Sequence, residues 1–398
     1  MLLGGIRYLL PVIEAAHKQG YYVITADYLP DNIAHRYSDE YCNVSIIDQE
    51  AVLRVAQTKQ IDGIISFGVD PGVVSAAYVQ EQMGLPSMGP YESVNILQNK
   101  DLFRAFLKEH NFNVPNAKSY YCKSDALQDT DWLHFPVIIK PTDSAGSKGV
   151  SRVDTLDQYE SALDLAFSKS ISGSIIVEDF IEKRGCSSGS DCFLEDGEWK
   201  FVSYAAQRFD SNAINPYTPS ARTWPSTFSK EEECYLTNEL QRLMDLLHMR
   251  TSIFNIEVRV STDGVPYIME CSPRGGGDRL CEMLHYATGV DLITAQVRAA
   301  VGDPIGTVPP CVYQGHWAGI TLHSMTDGIF DSLQIDPSIK PYVVECDVRV
   351  KKGDKVSAFR GANDSLGTLI MHFLDTNSSE YAINNINQLV KVVLTSIV

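Results

Sequence analysis

Nowhere in the 398 residues does an apolar run approach the roughly 18 needed to cross a bilayer, so no membrane partner is expected. Where Met1-Leu2-Leu3 meets Gly4-Gly5 there is no basic leader or long apolar segment of a cleavable signal, and cytoplasmic residence is the default expectation. Basic residues are scarce: 33 Lys and Arg stand against 50 Asp and Glu, a formal net charge of −17 with no dense basic stripe. Such a chain repels a phosphate backbone, so nucleic acid is not an expected partner. Any phosphate site must be a local exception made of a few lysines, backbone N–H groups and metal. The nine cysteines never fall into the short repeated spacing that holds zinc or an iron–sulfur cluster, and they read as reduced, mostly structural thiols. A dinucleotide fingerprint is missing too. Only Gly4-Gly5 and Asp27 stand where G-x-G-x-x-G and its acid would be, which argues against NAD or FAD.

What is present is an ordinary globular composition, 44% apolar and 21% charged, in a chain long enough for two or three domains. The first third alternates apolar strands with amphipathic helices: Leu2-Leu3, a helix over 9–19, a strand over 21–26, a helix over 49–59 and a strand over 63–67. This predicts a parallel sheet covered by helices, with Gly68 and Asp70 at a strand end facing the crevice where such sheets bind ligands. The first strand reads as short of residues upstream. Asn99 is a plausible cap for a helix over 99–110. Between about 118 and 190, Val137-Ile138-Ile139 and Ile175-Ile176-Val177 read as strands around a helix over 156–168. Helices are expected near 278–288 and 291–300, short strands near 312–322 and 342–349, and a closing helix near 382–395.

The most informative stretch is Phe254 to Ser272. Asp263-Gly264 signals a two-residue hairpin turn, and that register sets Glu257 opposite Glu270 and Asn255 opposite Ser272. Alternation sorts Phe254, Ile256, Val258, Val260, Val265, Tyr267, Met269 and Cys271 onto a core face. Asn255, Glu257, Arg259, Ile268, Glu270 and Ser272 fall on the other. Two carboxylates directly across a ladder repel unless something positive lies between them, and Mg²⁺ prefers such oxygen ligands. A solvent-exposed face with Arg259 as the compensating charge is the alternative. The following Pro273-Arg274-Gly275-Gly276-Gly277-Asp278 suits a phosphoryl or carboxylate charge better than a plain surface loop does.

Lys140 ends a buried-looking strand and leads into the small-residue loop Pro141 to Val150, which offers backbone N–H donors to phosphate oxygens without being a Walker A motif. Lys140 snorkelling at a strand end and a plain turn are the bland readings. Val177 to Glu182 reads as an extended connector able to present backbone groups to a base. Taken alone, ordinary surface acids would explain it.

In combination these motifs resemble the ATP-grasp superfamily over essentially the whole chain, most closely the carboxylate–amine ligases that include L-amino-acid ligases, related to biotin carboxylase, carbamoyl-phosphate synthetase and phosphoribosylglycinamide synthetase. The resemblance implies mixed α/β and α+β architecture: a Rossmann-like pre-ATP-grasp domain over 1–98, a two-part ATP-grasp domain over 99–305 with a mobile small subdomain at about 118–190, and a small C-terminal α+β domain over 306–398. It implies ATP with Mg²⁺, or Mn²⁺ in its place, and small-molecule carboxylate and amine substrates; a homodimer is common in the resembled families. Lys100 and Lys140 match the nucleotide lysines. Ser144, Gly146, Ser147, Lys148 and Gly149 match the phosphate loop. Glu178, Phe180 and Ile181 match the adenine hinge, Glu182 the ribose contact, and Glu257 and Glu270 the metal carboxylates. The family's E-x-N-P-R reads Glu270-Cys271-Ser272-Pro273-Arg274 here, so Ser272 replaces a longer-reaching asparagine as the third metal ligand. Arg274 matches the arginine that holds phosphate and the acylphosphate.

With Arg274, Lys140 and Arg259 in catalytic roles, the implied reaction is amide or peptide-type bond formation through an acylphosphate, releasing ADP and phosphate. Arg259 is placed to clamp a substrate carboxylate. The aperiodic segment carrying Arg208, Arg222 and Trp224 would border the acceptor or carboxylate pocket, whereas surface or packing roles suit His316, Trp317 and His323. A purine-biosynthesis or carbamoyl-phosphate-synthetase-like enzyme, or a non-catalytic nucleotide-binding protein, are the alternatives. The retained lysines, acids and Arg274 argue for an active site.

Overall fold

In the computed structural model, which describes residues 1–143 and 148–395, the alternation of the first third becomes a four-stranded parallel sheet. Its order is Glu40–Asn43, Ile24–Asp27, Leu2–Leu3, Ile65–Ser66, with the helices Leu10–Lys18 and Gln49–Lys59 between strands and Val73–Met83 after the last. The edge strand Glu40–Asn43 has no sequence signal: it is short, polar at both ends and partly exposed. Asn99 stands at the N-cap of the helix Lys100–Glu109 and accepts from Phe103 N–H through its carbonyl at 2.8 Å, while its side-chain amide donates back to Asn95 at 2.8 Å instead of capping the first turn.

A second, antiparallel sheet has the order Ala117–Tyr120, Ile175–Asp179, Val137–Pro141, Ser151–Val153. Val137, Ile139, Ile175 and Val177 pack under the helix Tyr159–Lys169 in one apolar cluster. Alternation along Val137–Pro141 therefore sends Lys140 to the opposite face.

The third sheet runs Glu198–Phe201, Ser188–Glu195, Ser252–Val260, Pro266–Ser272. Behind it lies the helix Lys230–Leu246, which opens with a capping box between Ser229 and Glu232. The hairpin tip is not a two-residue turn. Gly264 N–H donates to Ser261 O at 2.9 Å and Ser261 N–H to Val265 O at 2.9 Å, with Gly264 at φ +85°, so the loop takes the longer form that needs glycine in the left-handed region. The extra loop residue sets Val258 opposite Ile268, and a bulge at Met269 then restores Glu257 opposite Glu270 and Asn255 opposite Ser272. The two faces are corrected accordingly. Ile268 joins the core beside Val258, while Tyr267 and Met269 stay half-buried.

The remaining strands form a five-stranded antiparallel sheet, Ala206–Phe209, Pro219–Trp224, His316–Leu322, Gly367–Phe373, Val343–Val348, and a three-stranded one, Lys355–Val356, Gly328–Ile335, Val390–Thr395. The ribbon 206–224 thus shares a sheet with strands from the last 90 or so residues. The expected closing helix over 382–395 is corrected to helices Thr376–Asn384 and Ile386–Leu389 followed by a strand. Val390, Val392, Val393 and Thr395 are β-branched, and they pair antiparallel with the strand Gly328–Ile335. Among the described residues no helix is long and apolar enough to cross a membrane.

Candidate active site

Ser252–Val260 is a central strand, and its alternating burial leaves Asn255, Glu257 and Arg259 on the open face. Glu257 lies between Gly189 on one neighbour and Glu270 on the other. Burial raises the Glu257 carboxyl above its ordinary range; Arg259 opposes this, Glu270 adds to it, and Lys140 and Arg222 pull the other way. Arg259 NH2 is 4.0 Å from Glu257, too far for a hydrogen bond. Among the described residues neither carboxylate accepts a hydrogen bond, and no third His, Cys, Asp or Glu completes a metal cluster with them. Two opposed carboxylates with free lone pairs fit a hard divalent cation that keeps water and shares substrate oxygens. Ser272, two residues beyond Glu270, is buried with its hydroxyl already engaged: it donates to Asp70 Oδ1 at 3.3 Å and accepts from Gln98 Nε2 at 2.7 Å.

Lys140 ion-pairs with Glu178 on the adjacent strand Ile175–Asp179. Glu178 is only 2% exposed and also accepts from Arg104 Nε at 3.0 Å. Burial pushes its carboxyl up, but Arg104 and Lys140 outweigh that and hold it at about 2. Burial pulls Lys140 below the ordinary lysine range; Glu178 opposes this, while Arg104 and Lys100 add to it. One carboxylate therefore serves more than one cation, and the surplus positive charge fits a polyphosphate. Lys100 opens its helix with its N–H donating to Thr142 O at 3.2 Å, and Arg104 lies one turn later on the same helical face. Lys148 is exposed and Gly149 partly buried beside Lys169, whereas Ser144, Gly146 and Ser147 lie outside the described residues.

The connector after Ile175–Asp179 is pinned from both sides. Phe180 N–H donates to Pro136 O at 3.1 Å, Arg259 NH1 donates to Ile181 O at 2.9 Å, and Thr262 N–H donates to Glu182 O at 3.0 Å. Arg152 lies 4.4 Å over the Phe180 ring and 3.5 Å from the Glu182 carboxylate. Glu178 is turned into the Arg104–Lys140 cluster, and Arg259 braces the connector.

Arg274 is 9% exposed and held by Asp70, with Nε–Oδ1 at 2.8 Å and NH2–Oδ1 at 2.6 Å. Gly68 N–H donates to Gly275 O at 3.0 Å, so the crevice end of the parallel sheet docks on the glycine run. The run is fixed from below by fully buried Asp191, which accepts from Gly276 N–H at 3.0 Å, Asn255 Nδ2 at 2.8 Å and Cys281 Sγ at 3.0 Å.

Arg104 and Asp191 carry no motif and sequence reasoning missed them. The signals were there: a four-residue spacing from Lys100, and a lone acid followed by the apolar Cys192-Phe193-Leu194. Arg208 and Arg222 part company on the ribbon. Arg208 pairs with Ala221, and its NH2 donates to Glu380 at 3.1 Å, away from the acids. Arg222 pairs with Gln207 on the other face, 3.7 Å from Asp278. Trp224 is 1% exposed and packs as core. His323 is fixed between Thr321 O at 2.7 Å and Asp210 at 3.2 Å.

Residues 133–282 match the family model described as an ATP-grasp domain. Among solved structures, the chain is similar to L-amino acid ligase from Bacillus licheniformis, at 17% identity and TM-score 0.81 over 99% of this chain and 98% of that one. It is similar to phosphoribosylglycinamide synthetase from Anaerococcus prevotii at 17% identity and TM-score 0.74, over 99% and 98%. It is also similar to the biotin carboxylase domain of Hydrogenobacter thermophilus 2-oxoglutarate carboxylase, a dimer in complex with MgADP, ADP and bicarbonate, at 14% identity and TM-score 0.72 over 99% and 90%. At these identities the likeness is one of fold.

Proposed function

The chain carries an ATP-grasp domain, and from that premise we propose that it is an ATP- and Mg²⁺-dependent carboxylate–amine ligase that forms an amide or peptide-type bond and releases ADP and phosphate. The observation that carries the reading is the opposed Glu257–Glu270 pair, which accepts no hydrogen bond among the described residues and lies within reach of the Lys140 charge. A degenerate fold kept only for packing would have no reason to leave two half-buried carboxylates opposed with no hydrogen-bond donor among the described residues.

In this reading Glu257 and Glu270 hold the cation, which supplies charge neutralisation so that an anionic carboxylate can approach the terminal phosphate. Lys140 and Lys100 take the phosphate oxygens, with Arg104 and Glu178 setting the position of the Lys140 ammonium. The Phe180–Glu182 connector, held by Arg259 and Thr262, presents backbone groups to the base. Arg274, kept in place by Asp70, faces the charge that develops as the acylphosphate forms and the amine then expels phosphate. No protein side chain forms a covalent bond with substrate.

Hydroxylamine tests this directly, because it intercepts an acylphosphate whichever amine is the natural acceptor. With ATP, Mg²⁺ and a panel of carboxylic acids, the account predicts Mg²⁺-dependent ADP release together with a hydroxamate of one acid. AMP release, or hydroxamate formed without ATP, would overturn it.

A further inference from the structure

On the ribbon side of Glu257 stand two cations that the proposed ATP chemistry does not use. Arg222 pairs in register with Gln207, and the Gln207 amide lies so close to Gly189 that a Cβ there would sit 2.8 Å from Nε2. Gly189 is itself the neighbour of Glu257, so a continuous row leads from Glu270 and Glu257 across Gly189 to Gln207 and Arg222. The Arg222 guanidinium makes no hydrogen bond among the described residues. Its Nε is buried without an acceptor, and its one ion pair, to Asp278, is 3.7 Å long. Asp278 is already engaged by Tyr8 OH at 3.0 Å. Lys183 joins the same side of the cleft, its ammonium 4.5 Å over the ring of Phe209, two residues along the ribbon from Gln207. Both Arg222 and Lys183 are near enough to Glu257 for their charges to act on it.

We propose that Arg222 and Lys183 form an anion pocket beside Glu257, so that the carboxylate substrate carries there a second anionic group, a further carboxylate or a phosphate. The inference rests on the ligase reading and narrows its substrate class. Its physical basis is charge balance: Glu257 is an acid that compensates both cations, and a divalent cation taken up by Glu257 and Glu270 removes that compensation. Once the metal is held by those carboxylates the two cations are left to a further anion, which favours the dianionic acid binding after the metal. Gln207 Oε1, in the same row, is likewise buried without a donor among the described residues.

The test uses matched acids: L-aspartate against L-asparagine, L-glutamate against L-glutamine, and O-phospho-L-serine against L-serine. ADP release with ATP, Mg²⁺ and hydroxylamine as the acceptor is read for each, and calorimetry follows the binding of each acid to the protein saturated with Mg²⁺ and ADP. The expected result is a charged member favoured by about 10-fold or more, with Arg222→Gln raising its KM about 10- to 100-fold while MgADP affinity holds. Lys183→Met gives the same direction should Arg222→Gln fail to fold. Preference within the phosphoserine pair alone assigns phosphate, and preference within the other pairs assigns carboxylate. Turnover of neutral members equal to the charged ones, insensitive to Arg222, overturns the pocket and leaves the ligase reading standing. Arg222-dependent binding of a charged acid with no ADP release supports the pocket and sinks the ligase reading. Neither binding nor release with any charged member overturns the pocket.

Discussion

Glu270 and Glu257 face each other because one residue of bulge at Met269 cancels one residue of extra loop at Gly264, and among the described residues the pair has no hydrogen-bond donor. Replacing Glu270 by Gln removes a shared cation ligand and relieves a repulsion at once. Turnover with saturating acid and amine is expected to fall about 100-fold or more, with melting temperature unchanged or higher; steady-state kinetics and calorimetry on the same preparation check both. Glu178 behaves oppositely, since it is the anion between Arg104 and Lys140. Glu178→Gln leaves two buried cations uncompensated and is expected to cost about 3 kcal/mol of stability. Because the folded carboxyl is held at about 2, below its unfolded value, its contribution is complete above the ordinary glutamate range and is lost as pH falls toward 2. The stability gap between wild type and variant, measured by denaturant titration at a series of pH values, should therefore shrink through acid pH and reach its full size as pH rises to neutral.

At the scale of elements, the acidic row was legible because strand alternation is a strong signal and Asp263-Gly264 fixes a turn. The turn's length was not, because Asp-Gly serves both short and longer loops, and only packing chooses. Ile268 against Val258 is that choice: slipping the tip by one residue buries an isoleucine. Val390–Thr395 was misread as helix because its β-branched residues follow directly on helices Thr376–Asn384 and Ile386–Leu389, with no turn signal between. The residues that hold the site's cations and glycines, Arg104 and Asp191, were illegible because their partners are far away in sequence: Glu178 for one, Gly276 for the other. The glycine run itself is an element set by close approach. A Cβ at Gly276 would lie 2.4 Å from Leu280 Cδ1 and 2.8 Å from Asp191 Oδ1. Gly276→Ala should destabilise the protein by about 1–3 kcal/mol and displace Arg274, seen as lowered stability by denaturant titration together with reduced kcat.

Across the whole molecule, the parallel-sheet unit meets the site through polar contacts: Asp70 on Arg274 and Ser272, Gly68 on Gly275, Gln98 on Ser272 and Tyr8 on Asp278. Asp70→Asn keeps the shape and removes the charge, leaving a buried guanidinium without its counter-ion. The expected outcome is a loss of about 2–4 kcal/mol and a fall in kcat greater than the change in MgADP affinity, read by denaturant titration and calorimetry. The central claim, however, is that these units together activate a carboxylate for an amine. The most direct measurement is ADP and phosphate release by the purified protein with ATP and Mg²⁺ over paired acids and amines, with mass detection of the product. The account predicts release that needs both partners and a product one water lighter than their sum. Bound ATP that no pair turns over, or release as AMP and pyrophosphate, would contradict it.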